Sequence, residues 1–179
     1  MNCWKTINFS RDVGFHRIIL ISLLTMLSTF ILFYLPLNLY YSSTKLHGDR
    51  FIYFIIALLM TIVFHKCLHA IPLILMRKKV KIELKWVTII PIFTVRFCNM
   101  ISKPMSIMVF LTPFVMFTSI CLLLAVMFPS YIHYFSIIAA ANLGLCVPDF
   151  ICLKQFISAP KRSVIEEIED GYDILVKSN

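Results

Sequence analysis

"FIYFIIALLMTIVFHKCLHAIPLIL", residues 51 to 75, decides the fold. The run exceeds the roughly 20 helical residues needed to cross a hydrocarbon core. It predicts a membrane-spanning helix over Phe51 to Leu75. Its only fully charged residue is Lys66, flanked by His65 and His69. Ionisable groups inside a bilayer are costly, so these three are the first candidates for function.

Three more segments are long and apolar enough to span: Ile18 to Tyr41, Pro104 to Phe128 and Tyr131 to Ile151. The composition agrees, with 60% apolar and 15% charged residues among 179. The first apolar run is too long for a signal peptide and no small-x-small cleavage site follows it, so it reads as a retained helix. The expected class is an all-α polytopic membrane protein, one membrane domain over residues 1 to 179, with a cytoplasmic tail over 155–179.

Basic residues outnumber acidic ones, 17 to 9. Nucleic-acid binding is not needed to explain this, because lysine and arginine collect in cytoplasmic loops. With both termini inside, Lys5, Arg11 and Arg17 fall on that side, as do the bases from Arg77 to Lys103 and from Lys154 to Lys177. Only Lys45 and Arg50 fall outside. The expected location is the cell membrane, multi-pass, with both termini cytoplasmic. The six cysteines then lie in the bilayer or on the reducing side, and no C-x-x-C pair occurs, so no disulfide or zinc ribbon is expected.

Between the second and third helices the period changes from helix to strand. In "VKIELKW" (80–86), Val80, Ile82, Leu84 and Trp86 alternate with Lys81, Glu83 and Lys85. The following "TIIPIFTVRF" is also β-prone, with Pro91 suited to an edge, so a short β-hairpin is expected over about 80–98. Lying at the interface, it could receive an extended peptide by strand addition, with Lys81, Glu83, Lys85 and Trp86 as the contact residues, or merely connect two helices. "NCWKTINFSRDVGFHR" (2–17) reads as an interfacial segment or a plain basic flank. Ser163 and Glu166 have capping-box spacing, which predicts a short helix in the tail, limited by Gly171.

His65 and His69 lie one turn apart on one helical face, with Thr61 a further turn along the stripe. Both imidazoles can therefore point at one ion. His65 to His69 sit roughly 21 to 27 Å from the outer end of their helix, and Asp149 roughly 27 Å down the fourth, at about 1.5 Å per residue. Asp149 is the only acidic residue between Glu83 and Glu166, with Asn142 and Cys146 on nearly the same face. A lone intramembrane carboxylate wants a cation, and either a metal or the Lys66 ammonium would serve. His133, near the outer interface, reads as structural.

On His65, His69, Asn142, Asp149 and the intervening hairpin, the sequence resembles the putative zincin peptidases, small bacterial four-helix membrane proteins related in design to site-2 proteases. The resemblance spans about residues 18 to 155. It implies a zinc ion held by two histidines of an H-E-x-x-H helix and by an aspartate from a later helix. Two positions depart from that pattern: Lys66 stands where the glutamate belongs, and Phe150 follows Asp149 where many site-2 proteases have glycine. The glutamate takes a proton and returns it to the leaving amine. A charged lysine cannot accept that proton, and only a neutral amine could replace it.

Three readings follow. The chain is a catalytically degenerate relative that binds a membrane protein or peptide partner; or an active zinc-dependent intramembrane metallopeptidase with an altered base at Lys66; or an unrelated helical membrane protein without a metal site. In the first, Lys66 could pair with Asp149 and tie two helices together. No phosphate-binding glycine loop and no G-x-S-x-G elbow occurs in a chain with four glycines.

Overall fold

The computed structural model describes residues 2–8, 14–78, 80–87, 90–97, 100–168 and 171–176, with 81–97 described as backbone only. In chain order it runs β1 (Asn2–Asn8), α1 (Phe15–Tyr40), α2 (Phe51–Leu75), β2 (Val80–Val87), β3 (Ile90–Phe97) and β4 (Ile101–Ser102). There follow α3 (Lys103–Thr112), a π-turn (Pro113–Phe117), α4 (Thr118–Met127), a 3-10 turn (Pro129–Tyr131), α5 (Ile132–Leu145), α6 (Val147–Ser158), β5 (Ser163–Ile168) and β6 (Gly171–Val176).

Three stretches are long and apolar enough to cross a membrane: α1, α2, and the run Lys103–Met127 that joins α3 to α4 through the π-turn. Their large side chains, such as Leu23, Leu27 and Leu32 of α1 and Ile52, Leu59 and Ile62 of α2, are exposed over whole helical faces. Lipid is the solvent that accommodates such faces. The fourth expected helix, Tyr131 to Ile151, is instead a pair, Pro129–Leu145 and Val147–Ser158, bent by 46° at Cys146. Proline supplies the reason. Pro148 has no amide to donate to the Gly144 carbonyl, and its ring crowds that carbonyl, so the ladder breaks two residues upstream, at Cys146. The break makes Asp149 a first-turn residue of α6. Its carboxylate therefore lies at the positive end of that helix dipole.

Gly144 lets α1 approach α5 closely, since a Cβ there would meet the Ser22 carbonyl oxygen at 3.1 Å and Met26 Cβ at 3.4 Å. At the other end of α2, Arg77 adopts φ 53 and Lys78 N bonds the Leu73 carbonyl at 2.9 Å. That left-handed residue stops the helix and turns the chain toward β2. β2 and β3 pair antiparallel from Val80↔Phe97 to Val87↔Ile90.

The class is mostly helical with a small four-stranded antiparallel sheet, beyond the single short hairpin expected in an all-α domain. Four strands order as β1-β6-β5-β4, all antiparallel. The short tail helix expected from Ser163 is corrected: residues 163–168 form β5. Ser163 Oγ bonds the Pro160 carbonyl at 2.8 Å rather than capping a helix. Ser163 and Ile165 are buried on one face, the period-two pattern of a strand. β-Branched Val164, Ile165 and Ile168 favour that outcome. The N-terminal segment likewise contains a strand, β1, whose Lys5 Nζ donates to Gln155 Oε1 of α6 at 2.9 Å.

The inner face of this sheet packs under α2, α3 and α6. Ile7, Leu73, Ile101, Met105, Val109, Phe110, Cys152, Phe156, Ile165 and Ile174 form one buried cluster. Phe110, Phe156 and Tyr172 meet edge to face with ring centroids 5.2 to 5.8 Å apart. Burying a side chain such as Phe156 contributes about 1.5–3 kcal/mol. The cluster also touches the candidate site, because the Phe110 ring centroid lies 5.5 Å from that of His69. The five described cysteines are free, and Cys98 lies outside the described residues.

Candidate metal centre

Four segments meet around His65. α2 carries His65 and His69, whose rings lie 5.1 Å apart and nearly perpendicular. The start of α6 brings Asp149, with Oδ2 3.1 Å from His65 Nε2 and 3.3 Å from His69 Nε2. α5 brings Asn142, and the α3 to π-turn segment brings Val109 and Pro113. His65 is 2% exposed and Asn142 is fully buried, so water does not compete with these contacts.

The outer nitrogen of each ring is held by an acceptor. His69 Nδ1 lies 3.0 Å from the Val109 carbonyl oxygen. A carbonyl can only accept, so Nδ1 carries the proton and, in the neutral ring, Nε2 presents a lone pair. The Asn142 amide is oriented by its own partners: Nδ2 donates to the Pro113 carbonyl at 3.1 Å and to Thr118 Oγ1 at 3.2 Å. Its Oδ1 therefore faces His65 Nδ1, at 3.0 Å, and accepts from it. His65 Nε2 is thus also a lone-pair donor.

Two imidazole lone pairs and a carboxylate oxygen converge. Asp149 Oδ2 is buried, and its near neighbours are the two Nε2 atoms. Such atoms repel one another unless a cation lies among them. Neighbouring ligands of a tetrahedral zinc, with bonds of about 2.0–2.1 Å, stand roughly 3.3 Å apart. The two N···O separations match, and neutral imidazole with carboxylate is a zinc donor set. The donor chemistry around Asp149 is that of a group able to hold a metal ion.

A second triad overlaps the first. The ligand atoms of His65, Cys146 and Asp149 all lie within 4.8 Å of one another. Cys146 Sγ approaches His65 from the Nδ1 side, at 4.0 Å, where Asn142 already sits. Asp149 Oδ2 thus faces the Nε2 atoms of both His65 and His69.

Other residues singled out in the sequence lie elsewhere. Thr61 is buried, but its hydroxyl donates to the Ala57 carbonyl at 2.9 Å, and it lines a groove of about 480 Å³ between α1, α2 and the α5–α6 bend. Lys66 is half-buried and has no ion pair with Asp149, whose Oδ2 faces the histidines. Phe150 packs its ring against Phe114 with centroids 5.3 Å apart. His133 lies against Tyr134, centroids 4.0 Å apart, in the aromatic cluster that includes Tyr131. The side chains of Lys81, Glu83, Lys85 and Trp86 lie outside the described residues. Three supporting groups were not read from the sequence: the Val109 and Pro113 carbonyls and the Thr118 hydroxyl. The signal for them was Pro113, a proline within an otherwise continuous apolar span.

A family model described as "Putative zincin peptidase" matches residues 58–164, more than half of the chain. No curated protein and no solved structure matches it.

Proposed function

The chain belongs to the putative zincin peptidase family, and we propose that it is a membrane-embedded member with a zinc frame of His65, His69 and Asp149, which binds a polypeptide partner rather than cutting it. The observation that carries the metal reading is the convergence of the His65 and His69 Nε2 atoms on the buried Asp149 Oδ2. Zinc, when bound, supplies a Lewis acid. The chain's own part is to hold both rings in the correct tautomer through Asn142 and Val109, and to exclude water by burial.

The position that would move protons carries Lys66. A lysine ammonium has three donors and no acceptor, so it cannot take a proton from an attacking water. No second carboxylate joins Asp149 at the site among the described residues. This favours binding without hydrolysis. The intact ligand set favours the second reading, an active metallopeptidase in which neutral Lys66 serves as base.

The pairing of β1 with β6 supports placing both termini on one side. Such pairing needs an even number of crossings, so the bent α5–α6 pair counts as one of four spans in a single domain. The distribution of basic residues supports the cytoplasm as that side. The β2–β3 pair is a separate two-stranded sheet, so each strand keeps one edge outside the pair. A partner strand from a membrane protein would add there.

The test is to incubate zinc-loaded, detergent-purified protein with a library of apolar peptides and compare products by mass spectrometry with a metal-free control. Binding without cutting predicts no zinc-dependent product. Zinc-dependent products from the wild type would establish the active reading instead. Photocrosslinkers at Glu83 or Lys85 in cells should capture defined membrane proteins; capture of lipid alone would remove the partner role.

A further inference from the structure

Pro113 is fully buried in the third apolar run, and two of the site's supports run through it. In a regular helix the amide of residue 113 would donate to the carbonyl of residue 109. Proline has no such amide. The Val109 carbonyl is the one that faces His69 Nδ1, at 3.0 Å. The same proline opens the π-turn Pro113–Phe117, and its own carbonyl accepts from Asn142 Nδ2, at 3.1 Å. Thr118, the first residue after that turn, takes the other Asn142 contact at 3.2 Å. Asn142 in turn holds His65.

We infer that Pro113 is a positioning residue for both histidines: by withholding its amide it leaves the Val109 carbonyl for His69 Nδ1, and through its carbonyl it orients Asn142 and so His65. A buried apolar helix would ordinarily satisfy all its carbonyls internally, because lipid offers no replacement. Here one carbonyl is satisfied by the imidazole instead. π-Turns inside helices recur at functional sites, consistent with a break that serves the neighbouring residues. The inference rests on the metal reading above, but the tautomer it assigns to His69 can be tested without metal.

The experiment has two arms on the full-length protein in detergent. In the first, Co²⁺ is titrated into wild type, Pro113→Ala, and Pro36→Ala as a control for removing a proline from another membrane helix. Pro113→Ala returns an amide that competes for Val109, so affinity should fall about 10- to 100-fold, the usual loss when a group supporting a metal-ligating histidine is removed. Pro36→Ala should match wild type. In the background of His69→Ala with Asn142→Ala, Pro113→Ala should have no further effect. Wild-type affinity in folded Pro113→Ala overturns the inference, as does an equal loss in Pro36→Ala.

The second arm uses metal-free wild type with ¹⁵N-labelled histidine, so it does not depend on a variant folding. His69 should carry its proton on Nδ1, leaving Nε2 bare; a neutral His69 protonated on Nε2 overturns the inference. If wild type binds no Co²⁺ while His69 shows the Nδ1 proton, the metal reading fails and the positioning of His69 stands.

Discussion

His65 and Asn142 are joined across α2 and α5, Nδ1 to Oδ1, at 3.0 Å. The amide also donates to Pro113 and Thr118, so one buried side chain ties three segments together. Asn142→Ala leaves these groups unpartnered in a site that water does not reach. We predict a loss of about 1–3 kcal/mol in stability and of roughly 10- to 100-fold in metal affinity. Thermal unfolding in detergent and Co²⁺ titration measure the two effects. Unchanged affinity would mean that Asn142 does not orient His65.

Phe156 is 0% exposed and packs edge to face on Phe110 and Tyr172, beneath His69. Phe156→Ala removes a fully buried aromatic ring from that cluster and should cost about 3–5 kcal/mol. Phe156→Leu should cost clearly less, because it leaves a smaller cavity. Similar unfolding temperatures for the two variants would contradict this packing.

A Cβ on Gly171 would overlap the Ile7 carbonyl, where β6 approaches β1. Gly171→Ala should therefore separate the N-terminal strand from the sheet. Amides of residues 2–8 should exchange faster with deuterium, while those of α2 and α5 stay protected. Unaltered exchange in β1 would place that strand elsewhere.

Lys66 has no ion pair with Asp149, in contrast to the tie considered from the sequence. Lys66→Ala should leave the amount of folded protein in the membrane near wild type, and combining it with Asp149→Ala should add no rescue. A double variant that folds better than Asp149→Ala alone would show that the two charges are coupled.

The sequence displayed apolar runs such as 51–75 that are long enough to cross a membrane, but not the 46° bend that divides the last of them. It also displayed the residues that meet: His65 and His69 from their i, i+4 spacing, and Asp149 from its depth. What it hid depends on tertiary pairing. The tail strands carry a capping-box spacing at Ser163 and Glu166, and only pairing with β6 and burial of Ile165 decide for a strand. The carbonyls of Val109 and Pro113 leave no mark in side-chain chemistry. Their availability follows from one missing amide, which is visible in the sequence as a proline but not as a contact with a histidine.

The most direct measurement of the central claim is the zinc content of the detergent-purified wild type beside His65→Ala, taken through the same metal-limited purification. Two imidazole lone pairs meeting one carboxylate oxygen predict close to one zinc per wild-type chain and a large loss in His65→Ala. Zinc-free wild type that also fails to take up added zinc, or equal zinc in both proteins, would contradict the metal centre described here.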